Sequence, residues 1–269
     1  MIDLHNHILY GQDDGAETLE ESIQMCRIGY QDGIRTIVAT PHILPEIYEN
    51  DRSTILSGVI ELNNALKKLR VHRSALGVKN LDSMTQLPDD LITEPRILPG
   101  ADVHFSSDLL ERLESKEIVT VNDRGRHLMI EFAFQGIPYL AEESLFQLIS
   151  NGVIPIITHP ERNVEIERKP ERYYQMIRMG CLGQVTAMSL TGGFGPKVKR
   201  SAERLLTKRL LHFIASDAHS IDGRPPILSA GVKAAEKIVG KEEARKMVTE
   251  YPEAVIEGRK PNVPEPISI

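Results

Sequence analysis

Five of the nine histidines fall in four short groups, His5-Asn6-His7, Pro41-His42, His159-Pro160-Glu161-Arg162 and Asp217-Ala218-His219. Neutral imidazole mixed with carboxylate suits zinc, manganese or iron(II), and is too rich in nitrogen for a dedicated calcium or magnesium cage. Two carboxylates interrupt apolar runs, Asp102 in Leu98-Pro-Gly-Ala-Asp-Val103 and Glu131 in Leu128-Met-Ile-Glu-Phe132. A carboxylate buried in such a run needs a partner for its charge. Asp14, in Gln12-Asp-Asp-Gly15, lies close enough in sequence to reach the same place. The candidate metal ligands are therefore His5, His7, Asp14, His42, Asp102, Glu131, His159, Asp217 and His219. A single first-row ion takes roughly four to six donors, so a set this large implies two or three ions with bridging carboxylates. Arg162 and Arg224 follow two of these groups. Guanidinium beside metal cations is repelled unless an anion lies between them, which makes a phosphate clamp the functional reading and a surface salt bridge the alternative.

The elements that must position these residues follow from the hydrophobic pattern. Runs rich in β-branched residues at 2–7, 35–40, 97–105, 127–134, 153–158, 182–187 and 211–216 read as strands, each followed by a segment that can be helical. Thr18-Leu-Glu-Glu21 is a capping box opening a helix through about Gln31, stopped by Gly33, and a second helix is expected from about Arg52 to Leu69. Seven such units favour a closed parallel barrel over an open sheet. The chemically interesting residues then sit at the C-terminal ends of strands, the rim where such folds build sites. Alternation along a strand puts His5 and His7 on one face, and Asp217 and His219 likewise.

The remaining residues read more plainly. His72, His104, His127 and His212 fall outside the pattern and are taken as structural or surface groups, although Asp102-Val103-His104 is also an alternating pair. Asp3 and Asp13 read as turn or supporting groups. A stretch at about 71–95 lacks clean periodicity and reads as a surface excursion, and a short tail begins near residue 260, within a single domain spanning 1–269. The Gly192-Gly-Phe-Gly195 run is read as a flexible loop closing near substrate. Tyr10, Tyr48 and Tyr139 either line the substrate path or pack in the core.

Composition excludes several classes. With 32 Lys+Arg against 38 Asp+Glu, a net charge of −6 and no basic run, a nucleic-acid partner is not supported. No apolar run approaches the roughly 20 residues that span a bilayer, and the start is too polar for a secretion signal, so a cytoplasmic location without membrane insertion is expected. Cys26 and Cys181, the only cysteines, read as small buried apolar residues. Neither has arginine six positions on, where a cysteine-dependent phosphatase requires it: Asp32 and Ala187 stand there. Phosphate-binding P-loop, dinucleotide and serine-elbow motifs are also missing from the sequence.

Taken together, Ile2-Asp-Leu-His-Asn-His7, Asp13-Asp-Gly15 with Glu20-Glu-Ser22, Gly33 to His42, Ile130-Glu-Phe132, Thr158-His-Pro-Glu-Arg162, Gln184-Val-Thr-Ala187 with Ser189 to Gly192, and Ala215-Ser-Asp-Ala-His219 give the sequence a familiar look. It resembles the polymerase and histidinol phosphatase (PHP) superfamily, and within it the metal-dependent protein-tyrosine phosphatases of bacterial capsule and exopolysaccharide loci. The resemblance covers nearly the whole chain. It implies a distorted (β/α)7 TIM-like barrel whose C-terminal rim holds three metal ions on the nine residues named above, manganese first, with iron or zinc as alternatives. It further implies catalysis by Arg162, Arg224, Asp14 and His42, the arginines also binding substrate phosphate. Metal-activated hydroxide would hydrolyse phosphotyrosine on the C-terminal tail of a tyrosine autokinase that regulates polysaccharide synthesis. The family usually carries glutamate where Asp102 stands and asparagine where Thr186 stands, and a shorter segment than 71–94. Two other readings are a small-molecule phosphomonoesterase resembling histidinol phosphatase and a non-catalytic metal-binding regulator; a homo-oligomer is compatible with all three.

Overall fold

The computed structural model describes residues 1–75 and 94–269. Strand β1 (Ile2–Asn6) pairs in parallel with β2 (Thr36–Ala39), and β2 with β4 (Arg96–Pro99). A second parallel ladder runs through β3 (His42–Ile43), β5 (Asp102–His104), β6 (His127–Glu131), β7 (Ile154–Thr158), β8 (Leu182–Thr186) and β9 (Phe213–Ala215). The ladders are two parts of one circuit. Pro41, which has no amide proton to give, separates β2 from β3, and Gly100-Ala101 separates β4 from β5. At the other seam the His7 N–H donates to the Ala218 carbonyl and the Asp217 N–H to the His5 carbonyl, both at 2.9 Å, closing β1 against the end of β9. The result is a distorted seven-position parallel barrel, as the sequence pattern predicts.

Three strand readings are corrected in detail. The runs at 35–40 and 97–105 both belong to interrupted strands: the first resumes as β3 beyond Pro41, outside the expected run, and the second is broken at Gly100-Ala101 within it. The run at 127–134 ends at Glu131, because the Phe134 carbonyl is taken by the Val164 N–H at 2.8 Å and the chain turns away.

Strand side chains are buried on both faces, inside the barrel and against the helices, as parallel sheets require. Leu4, Ile37, Val103, Ile130, Ile156, Val185 and Phe213 illustrate this. Helix α1 (Leu19–Gln31) buries Ser22, Met25, Cys26, Gly29 and Tyr30, a three-to-four residue spacing that marks one helical face. Its capping box is half as expected: Thr18 accepts from the Glu21 N–H, while the Glu21 carboxylate reaches back to the Glu17 N–H and not to that of Thr18. Helix α2 (Arg52–Ala75) opens on Asp51, whose carboxylate accepts from the Thr54 N–H, and continues beyond the expected end at Leu69. The expected excursion at about 71–95 thus begins inside α2, and its remainder lies almost wholly outside the described residues. Cys26 and Cys181 are buried and unpaired, and burial pushes both thiols up, in keeping with an apolar role.

His212 and His127 are both core residues. His212 Nδ1 accepts the Gly183 N–H at 3.0 Å, a structural role. Around it α6 (Glu171–Met179) delivers Tyr173, whose hydroxyl donates to the Leu210 carbonyl at 2.9 Å across the face of β8. That crossing requires glycine at 183, since a Cβ there would stand 2.1 Å from the Tyr173 hydroxyl and 2.5 Å from the Leu210 carbonyl. Gly183→Ala is expected to cost about 2 to 3 kcal/mol through this clash, read as a lowered urea midpoint with unchanged slope. A midpoint equal to wild type would show that β8 and α6 separate without strain.

Candidate active site

The strands bring all nine candidate ligands to one end of the barrel. β1 supplies His5 and leads into His7, β3 supplies His42, β5 Asp102 and β6 Glu131, while His159 follows β7 and Asp217 and His219 follow β9. Asp14 arrives on the loop between β1 and α1. His5 Nε2 and His7 Nε2 lie 3.0 Å apart, and Asp217 Oδ1 is 3.5 Å from each. Three donor groups, each with atoms within 4.8 Å of one another, emerge: His7 with Asp14, His42 and His219; His5 with His7 and Asp102; and His42 with Asp102 and Glu131. His7, Asp102 and His42 each serve two of the groups. His159 Nε2 extends the third, 3.4 Å from Glu131 Oε1 and 3.8 Å from Asp102 Oδ2.

Proton placement tests whether this set fits a metal. His5 Nδ1 faces the Gln184 amide oxygen at 3.0 Å and His7 Nδ1 faces Asp13 Oδ2 at 2.6 Å. Both partners are acceptors, so both imidazoles carry a proton on Nδ1 and aim Nε2 into the cluster, where it can take a cation or a second proton. His219 does the same, with Nδ1 on the Asp217 backbone carbonyl at 2.9 Å and Nε2 3.5 Å from Asp14 Oδ1. Acceptors facing one another and facing carboxylates repel unless a cation or a proton lies among them. Asp102 Oδ2 and His42 Nδ1 point the same way, being buried with no hydrogen-bond partner among the described residues. Burial and then Glu131 push the Asp102 carboxyl well above its usual range, a cost that a cation would remove. The donor set fits divalent metal.

Supporting groups fix these ligands. Asp13, expected as a supporting group, also accepts from the N–H groups of His42 and Gly15, both at 2.9 Å, so one carboxylate ties the β1 loop to β3. Burial opposes protonation of His7, but Asp13 and then Asp217 outweigh it and raise the imidazole to about 10, so without a metal a proton takes the place at Nε2 that a cation would fill. Thr158 donates to Asp102 Oδ1 at 3.0 Å. Asp3 is structural, accepting from the Ser216 N–H and hydroxyl and from the Asn6 amide. Sequence reading missed Thr158 and Gln184 as supporting groups; their only signal was a polar side chain in a buried strand. His159 and Asp217 hold φ of 33° and 52°, the left-handed region that non-glycine residues avoid at a cost of roughly 1 to 3 kcal/mol. Both sit where a strand ends and a ligand must turn inward.

His104, read as a structural or surface group, is paired in register with Glu131, with Nδ1 3.8 Å from Glu131 Oε2, which puts it at the edge of the site. Tyr48 stacks on the His42 ring, centroids 5.7 Å apart and planes within 16°. Tyr139 is 93% exposed, which excludes core packing, and the Tyr10 hydroxyl is turned away to Glu61. The Gly192–Gly195 run, expected as a flexible loop, forms a tight turn between α7 (Ala187–Thr191) and α8 (Gly195–Thr207).

Arg162, in the turn after β7, and Arg224, on the loop after β9, both donate to Asp217 Oδ2, each at 2.5 Å. Burial works against the Asp217 charge, yet His5, His7 and the two guanidiniums hold its carboxyl well below the usual range. Because Asp217 is buried, these are not surface salt bridges. Arg224 Nε is buried with no acceptor among the described residues, a donor suited to an anion.

Residues 1–257 match the family described as "Capsular polysaccharide synthesis, CpsB/CapC". The chain is 34% identical over 256 residues to the tyrosine-protein phosphatase YwqE of Bacillus subtilis, covering 95% of this chain and 91% of that protein. It is 31% identical over 261 residues to the tyrosine-protein phosphatase CpsB of Streptococcus pneumoniae, covering 95% and 98%. A crystal structure from the YwqE and CpsB pair, described as unique metal-dependent tyrosine phosphatases, aligns with a TM-score of 0.88 at 32% identity over 100% of this chain and 99% of that one.

Asp13→Ala is expected to weaken metal binding about 10- to 100-fold, measured by titrating metal into stripped protein, while the fold is retained. Unchanged affinity would show that His7 and His42 hold their positions without Asp13.

Proposed function

The chain belongs to the CpsB/CapC capsular polysaccharide synthesis family, and on that premise we propose that it is a metal-dependent protein-tyrosine phosphatase. The observation that carries this reading is the set of three donor groups sharing His7, His42 and Asp102, beside two arginines converging on one carboxylate. His5, His7, Asp14, His42, Asp102, Glu131, His159, Asp217 and His219 would hold two or three divalent ions, manganese first. Such ions, when bound, polarise the phosphoryl group and acidify a water nucleophile.

The protein's own residues do the rest. Arg162 and Arg224 supply planar guanidinium forks for the non-bridging oxygens, offsetting charge as the phosphoryl group transfers. Their shared bond to Asp217 Oδ2 fixes both beside the ligand groups before substrate arrives, so little reorganisation is needed. Asp13, Gln184 and Thr158 keep His7, His5 and Asp102 in one orientation. Phenolate leaves with a pKa near about 10, so protonating the leaving group matters less than for an alkyl ester. Neither cysteine is the nucleophile in this scheme, both being buried. The substrate in this reading is the phosphorylated tail of a tyrosine autokinase that regulates capsule or exopolysaccharide synthesis, met in the cytoplasm. Among the described residues no helix is long and apolar enough to cross a membrane.

Metal-stripped protein is expected to be inert and to regain hydrolysis of a phosphotyrosine peptide with Mn²⁺, while phosphoserine peptide and histidinol phosphate remain poor substrates. Preference for histidinol phosphate would move the chain to a small-molecule branch, and inactivity with every metal would refute the enzymatic reading. His42→Ala and Asp217→Ala should abolish turnover in folded protein, and Arg162→Ala should lower kcat/KM about 100-fold.

A further inference from the structure

Two phenylalanines stand beside the arginines without an evident packing role. Phe134, three residues beyond Glu131, is 47% exposed, and Phe194 is half-buried. The Arg162 guanidinium carbon lies 5.0 Å from the centroid of the Phe134 ring and 4.9 Å from that of Phe194. Arg224 lies 5.7 Å from Phe194, and the Phe134 ring is 5.9 Å from that of His159. The rings therefore border the two guanidiniums and one candidate ligand.

Both rings are carried on constrained backbone. The Phe134 carbonyl accepts from the Val164 N–H at 2.8 Å, which ties its loop to the start of α5 (Val164–Arg168). Phe194 sits in the turn whose Gly192 has φ of 93°, a conformation that L side chains rarely adopt. Beside it, a Cβ at Gly193 would meet Met188 Cε at 2.7 Å, so the methionine end would have to move aside. The Gly-Gly-Phe sequence thus makes a tight turn that holds a ring at the rim.

We propose that Phe134 and Phe194 form an aryl subsite, taking the phenol ring of phosphotyrosine while Arg162 and Arg224 take its phosphoryl oxygens. This inference rests on the phosphatase reading and adds the source of its selectivity. A phosphate held by the two guanidiniums puts its ester-linked group next to the rings that border them. An aromatic ring there gains offset or edge contacts with both phenylalanines, and an alkyl group does not. Phosphoserine, whose phosphate is one carbon from the backbone, brings its peptide chain into the space the rings occupy. Phosphotyrosine holds its backbone a whole ring farther out.

The test compares Phe134→Ala and Phe194→Ala with wild type, and uses Phe134→Tyr as the conservative variant. Calorimetry measures binding of inorganic phosphate and of a peptide carrying a phosphonate analogue of phosphotyrosine, alongside kcat/KM for the phosphotyrosine peptide. Each alanine variant should bind the phosphonate peptide about tenfold more weakly and lose kcat/KM to match, while inorganic phosphate affinity stays within about twofold and Phe134→Tyr regains most of the loss. Phosphate and peptide affinities falling together would overturn the proposal, because the rings would then only be holding the guanidiniums. Unchanged peptide affinity in both alanine variants would overturn it too. A wild-type protein inert toward phosphotyrosine peptide defeats the phosphatase reading and this subsite with it, and that failure is visible before any variant is made.

Discussion

Much of the rim can be understood from one electrostatic conflict. His5 and His7 face each other through Nε2 at 3.0 Å, and both Nδ1 atoms are committed to acceptors, Gln184 and Asp13. Two ring nitrogens at that distance, with Asp217 Oδ1 3.5 Å from each, need a positive charge among them, a proton shared between the rings or a metal ion in its place. The surrounding architecture keeps the conflict in place. Asp13 is pinned by two backbone amides, Gln184 is held within β8, and the seam between β1 and β9 locks the backbone of His5 and His7 against Asp217 and Ala218.

Asp217 joins the two halves of the site. Its Oδ1 faces the imidazoles and its Oδ2 takes both arginines, so one buried carboxylate couples the metal-binding side to the anion-binding side. Its left-handed backbone is the local cost of directing a side chain inward immediately after β9. His159 incurs the same cost after β7. Strain thus appears at two of the ligand-bearing strand ends, where a regular continuation would send the side chain elsewhere.

Broken strands have a related consequence. Pro41 interrupts the second strand just before His42, and Gly100-Ala101 interrupts the third just before Asp102. After each break the pairing resumes in a fresh ladder, with His42 opposite Asp102 and His104 opposite Glu131. The second donor ladder of the rim is built from these short restarts, and the distortion of the barrel is what brings its third metal-type group together.

The sequence by itself determined the alternation of strands and helices, the closed parallel class and the residues able to bind metal, because hydrophobic period and the placement of polar groups at strand ends are local properties. It also marked Asp13 as a supporting group and the cysteines as buried. Only the tertiary structure decided which imidazole nitrogen faces the cluster, since that depends on Gln184 reaching His5 from β8, past β9. It decided that Arg162 and Arg224 share one oxygen, and that Phe134 and Phe194 border them, although these residues come from loops distant in sequence. It moved His104 from the background to the edge of the site, because strand register and not spacing sets it opposite Glu131. Each of these outcomes depends on contacts between separate strands and loops, which the chain acquires only when the barrel closes.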